Sequence, residues 1–93
     1  MEEKFELATI YSQRKSFNHK AFVIAENDNL TLVSYGIKIM TVNLINKKFT
    51  KLWDSFSKTT WTHILEFSKQ NNIPMSKKLW DSLGKDEQYI YES

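Results

Sequence analysis

Cysteine is absent from these 93 residues, proline occurs only at Pro74, glycine only at Gly36 and Gly84, and arginine only at Arg14. Without cysteine there is no disulfide framework, no thiol nucleophile and no zinc cluster built on paired cysteines, so His19 and His63 are the only imidazole ligands. Two glycines are too few for a phosphate-cradling loop, and with one proline they exclude a flexible linker or low-complexity tract. No run approaches the roughly 20 apolar residues of a membrane span, and the opening Met-Glu-Glu-Lys-Phe-Glu lacks the basic and apolar regions of a secretory signal. These absences predict a cytoplasmic chain, in which Asn29-Leu30-Thr31 is a chance match to a glycosylation sequon. No segment recurs with a period of about 20 to 50 residues, which excludes solenoids.

What is present is apolar surface: 41% hydrophobic residues, with six Phe, four Tyr and three Trp, are too many for a disordered chain. The length allows one domain, residues 1–93. A net charge of +2 hides a polarity, because residues 1–30 carry four basic and five acidic groups, 31–78 eight and two, and 79–93 one and four. A strongly acidic nucleic-acid mimic is excluded by that balance. The basic middle is made of lysine, which lacks the planar fork that reads phosphate or guanine bidentately, so it predicts diffuse attraction rather than sequence-specific recognition.

Residues 20–53 read as a β-meander. Ala21, Val23 and Ala25 alternate with Phe22, Ile24 and Glu26, Asn27-Asp28-Asn29 is a turn, and Leu30 to Tyr35 is β-branched and aromatic. Gly36 supplies the backbone freedom of a second turn. Ile37 to Ile45 is apolar on both sides, as in a central strand. Asn46-Lys47-Lys48 turns into a strand in which Phe49, Lys51 and Trp53 alternate with Thr50 and Leu52, with lysine expected on its exposed side. Trp61, Ile64, Leu65 and Phe67 then follow a helical arc, placing a main helix within 59–72 with Thr59 as its N-cap and Asn71-Asn72 and Pro74 as its stop. Ser76 caps a shorter helix within 76–84, carrying Leu79, Trp80 and Leu83 on one side and ending at Gly84 as a left-handed cap. Residues 1–15 fit a strand better than a helix, through Phe5, Leu7, Thr9 and Tyr11, and 85–93 is a tail. The predicted class is α+β: an antiparallel sheet of about four strands packed against one main helix, with a short helix after it.

Several strings resemble a known family. Arg14-Lys15-Ser16-Phe17, Lys20-Ala21, Leu32-Val33-Ser34-Tyr35, Lys51-Leu52-Trp53-Asp54 and, above all, Ser57-x-Thr59-Thr60-x-x-His63-Ile64-x-Glu66-Phe67-x-x-Gln70-Asn71, with the trailing Lys77-Lys78-x-Trp80, are similar to small proteins encoded by phages, prophages and bacterial mobile elements, known as a domain of unknown function. The resemblance covers about residues 11–83. Ser68 stands where that family usually has Leu, and Asn72 where it often has Gly. The resemblance implies a phage-encoded binding protein acting on a host protein or ribonucleoprotein complex in the bacterial cytoplasm, and in its narrower form an inhibitor of a defence complex, an anti-CRISPR protein.

Chemistry-bearing residues are few. His63 and Glu66 lie three apart on the main helix, one turn beyond Thr59 and Thr60, a spacing that brings a base, an orienting acid and a hydroxyl together. No glycine-rich turn supplies an oxyanion site, and the threonines serve equally as caps, so no catalytic residue is expected. His19 and His63 are forty-four residues apart with nothing to make them converge, and neither a metal nor a cofactor is expected. Trp53 and Trp61 are expected to cap the sheet-helix core; Trp80 equally staples the C-terminal segment or, with Tyr89 and Tyr91, forms a candidate docking patch, since aromatics anchor interfaces, and Lys47, Lys48 and Lys51 beside the turn complete the expected contact set. The competing class is a single-stranded nucleic-acid binder, with Lys38, Lys47, Lys48, Lys51 and Lys58 drawing the phosphates and Tyr35, Phe49 or Trp53 stacking on bases. An exposed edge strand would also permit a homodimer.

Overall fold

The computed structural model describes residues 2–54 and 57–92. Six strands, β1 (Glu2–Glu6), β2 (Ala21–Glu26), β3 (Asn29–Ser34), β4 (Ile37–Asn43), β5 (Lys48–Lys51) and β6 (Gln88–Ile90), form one sheet, each paired antiparallel with the next in chain order. Two helices, α1 (Lys58–Gln70) and α2 (Lys77–Ser82), lie between β5 and β6 in the chain. The α+β class follows the sequence, but the sheet has two strands beyond the expected meander. The strand expected within 1–15 ends at Glu6, so Thr9 and Tyr11 fall in the loop after it. The expected tail contributes β6, whose three residues are too few to show an alternation.

Alternation sets the buried face. Val23, Leu32 and Met40 stand opposite one another in neighbouring strands, as do Leu30, Val42 and Phe49, and these residues meet Ile64 and Phe67 of α1 and Trp80 of α2 in the core. The pairing of β3 with β4 slips by one residue after Leu32, and at that bulge two consecutive residues, Ile39 and Met40, are both buried. This slip accounts for the apolar residues expected on both sides of β4. Among the described residues no helix covers the opposite face, where Lys4 lies over the Phe22 ring at 4.8 Å and Thr31 bonds Thr41 at 3.0 Å.

The turns obey their dihedral requirements. Tyr35 and Gly36 both have positive φ, 52° and 79°, between the paired Ser34 and Ile37, which is the two-residue hairpin whose twist matches the strands. Asn43 Oδ1 accepts from the amides of Ile45 and Asn46 in the β4–β5 turn, and Lys47 there has a φ of 55°.

Both helices begin on a serine. Ser57, two residues before the expected Thr59, caps α1 by accepting from the Thr60 amide at 3.2 Å. Helix α1 ends with Asn72 at a φ of 58°, where the Ile73 amide reaches the Ser68 carbonyl and the Asn72 amide that of Lys69, so asparagine takes the left-handed position usually held by glycine. Ser76 caps α2 as expected. Gly84 does not end it: Leu83 is the C-cap with an extended backbone, and Lys51 Nζ donates to the carbonyls of Trp80 and Leu83 at 2.9 and 2.8 Å. A buried ammonium thus does the work expected of a glycine turn, because a cation satisfies the free carbonyls at the negative end of the helix.

Candidate functional site

The β3–β4 hairpin and the first turn of α1 enclose a groove of about 350 Å³ lined by Ser34, Tyr35, Ile37, Ile39, Trp53, Ser57 and Thr60. Its floor is polar and closed on itself. Ser34 Oγ lies 2.8 Å from His63 Nδ1 and 3.1 Å from Thr60 Oγ1, and Thr60 Oγ1 in turn accepts from Ser57 Oγ at 3.3 Å. Phe17 meets the His63 ring nearly edge-on with centroids 4.6 Å apart, and Tyr35 lies against it at 5.8 Å. Burial, and secondarily the charge of Arg14, pushes the His63 pKa down to about 4, so the imidazole is neutral at neutral pH.

The rim of the groove is apolar and displayed. Tyr35 is 48% exposed, Ile37 39% and Trp53 36%. Lys20 Nζ lies 5.3 Å from the centre of the Tyr35 ring, and the exposed Lys58 follows Ser57 at the start of α1, so the apolar rim has cationic neighbours. A bulky aromatic at positive φ is costly, and asparagine or glycine is the usual residue at the first position of such a turn. Tyr35 pays that cost at the site where its ring lines the groove.

The constellation of His63, Glu66 and Thr59 or Thr60 is not assembled as its spacing suggests, since Thr60 is linked to His63 through Ser34. Glu66 is buried and turns to the loop after β1, accepting from the amides of Tyr11 at 2.9 Å and Ser12 at 2.7 Å and from Gln70 Nε2 at 2.8 Å. Three donors hold the carboxylate, and His63 is oriented by Ser34 instead. His19 is exposed and pairs with Glu6 at 3.1 Å, away from the buried His63. Among the described residues no three His, Asp or Glu side chains are grouped as metal ligands.

The expected contact residues divide. Trp80 is fully buried, stacked on Phe49 with centroids 6.4 Å apart and beneath Lys51 Nζ at 5.0 Å, so it is core rather than display. Lys51 is buried as the cap of α2, and its ion pair with the exposed Asp54 is long at 3.6 Å. Lys47, Lys48, Tyr89 and Tyr91 lie where β5 meets β6 but do not share a face: Lys48 is opposite Ile90 on the open face, whereas the rings of Tyr89 and Tyr91 pack against the buried Phe49 at 5.7 and 6.4 Å. Burial, and then the neighbouring Glu92, raises the Tyr91 hydroxyl above its ordinary value. Phe49 is buried and cannot stack on a base, whereas Tyr35 is accessible, and so is Trp53, which lies beyond the end of β5 at Lys51 rather than capping the core as expected. The lysines do not form one patch, since Lys38 and Lys48 lie on the open face of the sheet, Lys51 in the core and Lys58 on α1.

Two of these placements had a sequence signal. Leu30, Leu32 and Ser34 share a parity along β3, so a core containing the leucines brings Ser34 inward. Phe49 and Lys51 likewise share one, so a core containing Phe49 commits Lys51 to it.

An antiparallel meander with two helices on one face, carrying an aromatic groove over a hydroxyl-imidazole floor, defines a small α+β domain with a concave surface groove. The chain belongs to a family of unknown function, DUF8033, which matches residues 5–82. No curated protein and no solved structure matches it.

Proposed function

We propose that this chain is a non-enzymatic binding protein that seats an apolar side chain of a host protein in the groove between Tyr35, Ile37 and Trp53. The observation that carries the reading is the backbone of Tyr35: a position suited to asparagine holds a strained, half-exposed aromatic. The cationic neighbours Lys20 and Lys58 favour an anchor flanked by acidic residues. The non-enzymatic reading is favoured by burial: Ser34 and His63, although hydrogen-bonded to each other, are each only 1% exposed, and Glu66 is committed to the loop rather than to the imidazole. In its narrower form, drawn from the resemblance, the protein is phage-encoded, works in the bacterial cytoplasm and inhibits a defence complex such as CRISPR–Cas.

A second reading, a single-stranded nucleic-acid binder, is favoured by the accessible rings of Tyr35 and Trp53 and the lysine over the former. Affinity capture from a bacterial lysate, with and without nuclease, separates the two. A nuclease-resistant protein partner lost with Trp53→Ala supports the first. Recovery of nucleic acid alone, with affinity falling steeply as salt rises, overturns it in favour of the second.

A further inference from the structure

The two edges of the sheet differ in how they are guarded. Strand β1 reads Glu-Glu-Lys-Phe-Glu, a charge at four of five positions, which is how natural proteins blunt a strand that could recruit another. Strand β6 reads Gln-Tyr-Ile, with no charge, and Ile90 is 65% exposed. Its inward bonding is fixed by Tyr89 standing opposite Phe49, by the Tyr91 amide donating to the Lys47 carbonyl and by the Glu87 carbonyl accepting from Lys51. Odd-numbered residues therefore turn their backbone groups toward β5, and those of Gln88 and Ile90 face outward. Among the described residues nothing pairs with them.

We propose that this edge pairs with β6 of a second copy of the chain, antiparallel about a two-fold axis at Ile90, giving one continuous sheet with all helices on the same face. In that register Ile90 faces its own counterpart, Tyr89 faces Tyr91 across the closer, non-hydrogen-bonded pairing, and the Gln88 amide faces the Glu92 carboxylate. No like charges stand opposite each other. Moving the register by two residues toward Asp86 sets Asp86 against Glu92, and moving it further requires Asp86 to be extended, whereas its φ is 68°. Self-complementarity about one residue is what an isologous interface demands, and it is what favours a second copy over an unrelated strand.

Sedimentation equilibrium from about 10 µM to about 1 mM tests the pairing. The expected result is a shift from the 11.0 kDa monomer to twice that mass. Ile90→Lys, which sets like charges at the two-fold axis, should remain monomeric, as should Ile90→Glu, while an equimolar mixture of the two should recover the dimer. Because the natural chain has no cysteine, Ile90→Cys gives an independent readout. A short bismaleimide linker should join its thiols into a dimer roughly tenfold faster, or more, than those of the equally exposed control Ile10→Cys. A wild-type monomer at the highest concentration, a dimer indifferent to Ile90→Lys, or equal crosslinking rates at the two positions would each overturn the proposal. The crosslinking arm decides if the charged variants do not fold.

Discussion

On the β1 flank of the sheet a buried carboxylate, Glu66, accepts the amides of Tyr11 and Ser12; on the β6 flank a buried ammonium, Lys51, donates to the carbonyls of Trp80 and Leu83. Each charge reaches across a long sequence separation to a segment whose backbone groups lack a regular partner. The sign of the charge follows from what is left over: a loop presents free amides and takes an anion, a helix end presents free carbonyls and takes a cation. A small domain with few glycines and one proline thus uses buried ions where turn chemistry is scarce. The flanks part at their outer strands, since charge covers β1 and leaves β6 open.

The strongest way to break this symmetry is Lys51→Met, which keeps the length of the stem and leaves two carbonyls without their donor. At about 2 kcal/mol for each unpaired group, stability to urea should fall by about 4 kcal/mol. Hydrogen exchange should show the loss first in α2 and β6, with the loop that Glu66 holds still protected. Equal loosening of both flanks would show that they are one cooperative unit.

Between the flanks, His63 adds a dependence on pH that neither clamp requires. Its folded pKa of about 4 lies below the ordinary imidazole value of 6.5, so the unfolded chain binds more protons between those values. The contribution is therefore fully present above about 6.5, is lost as pH falls toward about 4, and amounts to on the order of 3 kcal/mol. Denaturation midpoints measured across that window should fall for the natural chain and flatten for His63→Asn, which keeps a polar partner for Ser34 without a titrating proton.

Glu66→Gln sharpens the comparison from the other side. It retains one carbonyl oxygen for the loop amides but turns an NH₂ group toward donors, and it should cost about 1 to 2 kcal/mol. The loss should appear as faster exchange at Tyr11 and Ser12, with β6 unchanged.

The two clamps also mark where the sequence ceased to be legible. Alternation in 21–43, the arc of α1 and the Ser76 cap are local patterns, and each became the element it indicated. Lys51 reads as a surface cation and the role of Glu66 is not legible at all, because their partners lie 29 and 32 residues away in one case and 54 and 55 in the other. Trp80, between Leu79 and Asp81, reads equally as a displayed ring or as a staple of the C-terminal segment, and its neighbours in space, Phe49 and Lys51, make it the latter. The groove was not legible: Tyr35 and Trp53 enter the sequence reading only as stacking rings of the competing nucleic-acid binder, and no local pattern joins them to Ser57 and Thr60 across the fold.

The smallest effect on stability belongs to the groove, and its size is what makes it informative. Tyr35→Asn replaces an aromatic at a φ of 52° with a residue that accepts that conformation, and should leave stability unchanged or raise it by about 1 kcal/mol. Neither clamp takes a hydrogen bond from Tyr35, so hydrogen exchange at Tyr11 and in β6 should not move. Capture of the partner, by contrast, should weaken at least as much as with Trp53→Ala. A variant that gains stability while losing its partner would show that the strain at Tyr35 is kept for contact. A variant that loses stability with its partner retained would place the ring among the core residues that hold His63, and would move the contact surface away from the groove.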